Sequence, residues 1–171
     1  MKAWYTEIRS RLFPSLACRV RIKMPIPDLD ENGLLPAGIH DCTVQEMEER
    51  FGRVRVNSHR HELFAKLQAY IEELRASSLA LYVVVDGSFA TEKARPNDID
   101  IIAVLKEEHD MSASLRPFEY NLLAPRRVNK RFALDFRAVR ENSEEFHEYL
   151  ILYARVRNRP DLQKGCLRIR L

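Results

Sequence analysis

Glycine is scarce in this chain: five residues in 171, none of them clustered. That excludes a Gly-rich dinucleotide fingerprint and a phosphate-cradling P-loop, which need glycines within a few residues of one another. No nucleophile-elbow or zinc-protease pattern occurs either. Cysteine is equally thin. Cys18, Cys42 and Cys166 are scattered and odd in number, which gives neither a disulfide framework nor metal-ligand spacing. They read as thiols in a reducing cytosol, so the expected location is cytoplasmic. No apolar run approaches the ~18 residues of a membrane span. LFPSLA near the N-terminus is too short for a signal peptide and follows Arg9 and Arg11. No membrane partner is expected.

What is present suits one globular domain: 46% apolar and 31% charged residues, at a length that buries a real core. The net charge of +3 is uneven. Residues 1–23 carry +5, residues 24–125 hold ten bases against eighteen acids, and residues 126–171 hold twelve against six. A polyanionic partner, nucleic acid included, is one implication; a solvated surface is the other. Residues 1–23 read as a basic N-terminal extension. Residues 24–171 read as the domain, Met24 opening MPIPDLDENGLLPAGIH like a natural start.

Three prolines with Gly33 and Gly38 make 24–42 an extended, irregular lead-in. Thr43 and Glu46 form a capping box for a short helix ending at Gly52. Ser58 caps a longer helix to about Ser77, whose Leu63, Phe64, Leu67, Tyr70, Ile71 and Leu74 repeat at helical spacing. LALYVVVD (79–86) and DIDIIAVL (98–105) are strands, the first apolar enough to be buried on both faces. RFALDFRAV (131–139) is a third strand, 143–155 a helix, and CLRIRL (166–171) an edge strand. The expected fold is α/β (α+β): a small mixed sheet with helices packed on it.

The chemistry lies between the first two strands. Residues i and i+2 of a strand share a side, so Asp98 and Asp100 project together at the lip of the core, followed by Ile102 and Val104. Two like charges there repel, and one tends to stay protonated. A divalent cation removes the conflict. Mg²⁺ takes hard oxygen ligands, usually one or two carboxylates plus substrate phosphates. Asp135 is a third acid in a strand-like context. If its strand lies beside 98–105, three carboxylates converge, enough for two ions in an in-line displacement. The alternative is an edge-strand acid paired to Arg137 or Arg131. Gly87-Ser88 follows a strand directly, where glycine lets the backbone approach a phosphate closely. Lys93 and Arg95 lie in the connection, placed to neutralise phosphate charge.

The stretch GS-FATEKARPN-DIDI, followed by an acid on a later strand, resembles the polymerase-beta-like nucleotidyltransferase superfamily. LLPAGIHDCTVQEMEERFG, VDGSFATEKARPNDID and KGCLRIRL further resemble a small, uncharacterised prokaryotic family of minimal proteins of this type. The resemblance covers about residues 24–171. It implies a nucleotidyltransferase-like fold, phosphates on Gly87 and Ser88, and Mg²⁺ (two ions, with Mn²⁺ as a substitute) on Asp98, Asp100 and Asp135. The implied activity is transfer of NMP from an NTP to a hydroxyl acceptor. With only 36 residues after Asp135, the acceptor is expected on a separate protein, as in a toxin–antitoxin or defence pair. A module of this fold without catalytic activity, binding a protein or nucleic acid, is the alternative. His59 and His61 do not face each other on a helix and are not expected to hold metal. His40 is expected to make a local hydrogen bond. Trp4 and Tyr5 beside Arg9 are too short an arm to read as a stacking site.

Overall fold

The computed structural model describes residues 26–53 and 58–171. The basic extension and its aromatic pair lie outside them. The expected α/β class is what the chain adopts. The elements are β1 (Ile39–Asp41), α1 (Val44–Met47), α2 (Ser58–Ser77), β2 (Ala80–Asp86), β3 (Ile99–Leu105), α3 (Pro117–Leu123), α4 (Pro125–Phe132), β4 (Leu134–Arg140), α5 (Glu144–Ala154), β5 (Arg155–Val156), β6 (Arg159–Gln163) and β7 (Cys166–Arg170).

Five strands form one mixed sheet in the order β1-β7-β2-β3-β4, and β5 and β6 form a separate ribbon. β2 pairs antiparallel with both β3 and β7, whereas β3–β4 and β1–β7 are parallel. The capping box forms as expected: the Thr43 amide donates to Glu46 Oε2 at 2.9 Å and the Glu46 amide donates to Thr43 Oγ1 at 3.2 Å. Beyond α1 the chain continues as a wider π-helical turn, Glu48–Gly52.

The apolar stripe of α2 is wholly buried. It packs on one sheet face with Val83 and Val85 of β2, Ile99, Ile101 and Ala103 of β3, and Phe136 of β4. Tyr70 also donates its hydroxyl to the Leu122 carbonyl at 3.0 Å, tying α2 to α3. The opposite face is covered by α5, whose Phe146 meets Tyr82, Val84, Ile102, Val104 and Val139. Two covered faces explain why β2 and β3 read as unbroken apolar runs. α5 starts where expected, the Phe146 amide donating to Ser143 Oγ at 3.2 Å.

Two strand expectations need correction. β4 begins at Leu134, not at 131, because Arg131 and Phe132 complete α4. Pro125 suits the first turn of that helix, and Ala133 ends it in the left-handed region (φ 53, ψ 39), its amide donating to the Asn129 carbonyl at 2.8 Å. β7 is not an edge strand. β1, three residues inside the supposedly irregular lead-in, pairs along its outer side. Arg168 of β7 holds Asp41 of β1 at 2.6 and 2.9 Å. The hydrogen bond expected of His40 is made to the Pro36 carbonyl at 2.8 Å.

Candidate active site

Strand register builds the site. Asp86, the last residue of β2, is paired with Asp100 of β3. Asp100 is in turn paired with Asp135 of β4. Residues directly opposite one another share a sheet face, so three carboxylates stand abreast on three adjacent strands. They lie on the α5 side of the sheet, continuing the face of Val84, Ile102 and Val139. Asp98 precedes Asp100 by two and is exposed. The expectation that the strand of Asp135 lies beside that of Asp100 therefore holds.

Asp100 has its acidity weakened. Burial comes first, and the charges of Asp98, Asp86 and Asp135 add to it; its carboxyl is pushed up to about 6 despite the opposing pull of Lys164. The same carboxylate explains Gly87. The backbone there has φ +80°, and a Cβ would sit 1.8 Å from Asp100 Oδ2. Only glycine fits both the torsion and the contact. Ser88 then opens a single 3₁₀ turn, Ser88–Ala90.

Two carboxylates of the row face cations of the chain. The Lys164 ammonium donates to both oxygens of Asp86, with side chains 12% and 5% exposed. Burial raises the pKa of Asp86 while Lys164 pulls it back. Arg137 donates from Nη1 to Asp135 Oδ1 at 2.9 Å and to the Phe136 carbonyl at 2.7 Å. Asp135 is thus both the lateral neighbour of Asp100 and the partner of Arg137; Arg131 is engaged by Glu73 instead, at 2.8 Å. From α5, Tyr153 lies over the same face: burial, then Asp100, Asp86 and Asp135, hold its phenol well above the ordinary range. Tyr149 reaches Arg137.

The loop from β2 to β3 is organised from beneath by Arg60 of α2, which is 3% exposed. Its guanidinium donates to the carbonyls of Phe51, Lys93, Phe89 and Thr91 and lies 4.9 Å from the Phe89 ring centroid. Burial lowers its affinity for its proton, but an arginine stays charged. His59 engages the Pro96 carbonyl at 2.6 Å. Lys93 and Arg95 are exposed on this loop; it is the backbone of Lys93, through its carbonyl, that the loop uses.

The donor chemistry of Asp98, Asp100 and Asp135 suits a hard divalent cation. Among the described residues, no three His, Cys, Asp or Glu side chains are gathered closely enough to hold one. Asp86 and Asp135 are each turned to a cation of the chain. Two surface hollows, one beside Gln68 and Glu72 and one beside Arg140 and Glu148, include none of these residues.

The model of a protein family, "Family of unknown function (DUF6932)", matches residues 27–170. The chain belongs to this family. No curated protein and no solved structure matches it. The family match spans every residue of the site, from Arg60 to Lys164. No helix among the described residues is long and apolar enough to cross a membrane.

Sequence reasoning missed Asp86, Lys164, Arg60 and Tyr153. Each left a trace. Asp86 is an acid ending an apolar strand. Arg60 continues the buried stripe of α2, three and four residues before Leu63 and Phe64. Lys164 stands before a glycine that leads into β7, and Tyr153 lies seven residues beyond Phe146 on the inner face of α5.

Proposed function

We propose that this member of the family is a Mg²⁺-dependent nucleotidyltransferase that moves NMP from an NTP to a hydroxyl acceptor. The observation that carries the reading is the lateral row Asp86–Asp100–Asp135, with Asp98 alongside and Gly87 against Asp100. A shared face of carboxylates next to a Gly-Ser turn supports this reading, with Asp86 and Asp135 each paired to a cation of the chain.

Asp98, Asp100 and Asp135 are not gathered around one point in the metal-free chain, so they would have to close together, Asp135 leaving Arg137, to hold the cation, which when bound supplies charge neutralisation on the phosphates. Gly87 lets the Asp100 carboxylate lie against the backbone, and the Ser88 turn would offer polar atoms to the phosphate oxygens. Lys93 and Arg95 are the basic side chains of the same loop. The acceptor oxygen bonds to the α-phosphorus as the bond from that phosphorus to the bridging oxygen breaks. Pyrophosphate leaves with the electron pair. Asp135, once released from Arg137, offers a carboxylate oxygen to the acceptor's proton. Rate enhancement comes chiefly from positioning and electrostatics. The acceptor is a separate protein, as in a toxin–antitoxin or defence pair, and the setting is the cytoplasm.

The test is label transfer from α-labelled ATP, CTP, GTP or UTP in Mg²⁺, alone and with the product of the neighbouring gene. Transfer abolished by Asp98→Ala or Asp100→Ala supports the enzyme. One observation favours the non-catalytic binding module, namely the Arg137–Asp135 pair across the third ligand position. Partner binding that survives Asp100→Ala, with no transfer, would establish that reading instead.

A further inference from the structure

We propose that Lys164 is a phosphate-binding residue of this site, delivered by the C-terminal Lys-Gly step and held ready by Asp86. The proposal rests on the nucleotidyl-transfer reading above. Its starting point is that two pieces of sequence distant in the chain, Asp86-Gly87 and Lys164-Gly165, meet at one place. β2 and β7 are antiparallel neighbours, Val85 opposite Leu167, so the end of one lies beside the start of the other.

The backbone of Lys164 is fixed on both sides. Its amide donates to the Ala154 carbonyl and that of Gly165 to the Leu35 carbonyl, both at 2.9 Å. A Cβ on Gly165 would sit 2.1 Å from the Pro36 carbonyl oxygen, so only glycine permits the approach. The side chain is thereby aimed at Asp86, the register neighbour of Asp100.

A buried lysine–aspartate pair is a poor choice for stability alone. Desolvating two charges costs about as much as their attraction returns, and apolar side chains of similar volume serve as well. The pair makes sense where a positive charge is wanted at that spot. The charges of Asp98, Asp100 and Asp135 repel a polyphosphate. Asp86 takes two of the three ammonium donors at most, which leaves one for a phosphate oxygen on the Gly87 side of the row. A lysine suits this as a compact point charge.

The experiment is calorimetric titration of the full chain with inorganic pyrophosphate and with ATP, each with Mg²⁺. Lys164→Met alone strands the Asp86 charge and lowers stability, so the deciding variant is Asp86→Asn with Lys164→Met, which strands none. It should melt within a few degrees of wild type and bind both probes roughly 10- to 100-fold more weakly, the worth of one charge-assisted hydrogen bond. Asp86→Asn with Lys164→Gln, which keeps a hydrogen bond without charge, is the second variant, with the same loss expected. Lys164→Arg should retain most of the affinity. Unchanged affinity in the double variants overturns this proposal alone. A wild-type chain that binds neither probe overturns the functional reading along with it.

Discussion

Replacing Asp100 by Asn should make the metal-free protein more stable at neutral pH while abolishing cation binding. The carboxyl of Asp100 titrates near 6 in the folded chain against an ordinary 3.8, raised by burial and by Asp98, Asp86 and Asp135. A raised value means that the protonated form favours the native state. That stabilisation is complete below about pH 4 and is lost as pH rises through 6. Two units at about 1.4 kcal/mol each would come to about 3 kcal/mol. The side chain is only partly buried, and solvent screening reduces this to about 1–2 kcal/mol. At 2–4 °C per kcal/mol for a chain of this size, Asp100→Asn should raise the melting temperature by about 3–6 °C at pH 8. The assay is thermal unfolding in EDTA at pH 4 and pH 8. The gain should vanish at pH 4, where wild type is already protonated. Adding Mg²⁺ at pH 8 should stabilise wild type and leave the variant unmoved. A variant no more stable than wild type at pH 8 would refute the claim that burial, with the neighbouring carboxylates adding to it, makes the Asp100 charge costly.

Gly87→Ala must place a Cβ on a backbone with φ +80°, against the Asp100 carboxylate; a loss of about 2–3 kcal/mol in urea unfolding is expected, with Mg²⁺ affinity falling too. Arg60→Met leaves buried carbonyls without their donor, so about 2–4 kcal/mol of stability should go, together with raised amide exchange in the 88–96 loop. Arg137→Gln releases Asp135; both groups are nearly half exposed, so stability should change by under about 1 kcal/mol, while Mg²⁺ affinity measured by calorimetry rises.

The sequence made the centre of this fold legible because its signals are local. The capping box at Thr43, the stripe of α2 and the two apolar strands each declare themselves within a few residues, and the face of Asp100 follows from strand alternation alone, whereas Asp98 lies just ahead of β3. What escaped depends on distance. β1 is three residues long and exists as a strand only because β7, more than 120 residues later, accepts it. That pairing moved β7 from edge to interior. The start of β4 was misjudged because Phe132 is apolar in either conformation, and the left-handed Ala133 that ends α4 is an uncommon place for alanine. At the site, register supplied what alternation could not. Asp86 joins the row only through its pairing with Asp100, and Lys164 reaches it across the β2–β7 boundary. Arg60 sat in plain view on an apolar stripe, yet its four carbonyl acceptors come from a loop about thirty residues away and from the turn preceding α2.

The central claim is that the aspartate row and the Gly87-Ser88 bend together take up a cation-bound nucleotide, and titrating ATP into the protein tests it most directly. Heat of binding should be present with Mg²⁺, absent in EDTA, and lost in Asp98→Ala and Asp100→Ala. No uptake of any of the four common NTPs with Mg²⁺, or uptake indifferent to both substitutions, would contradict it.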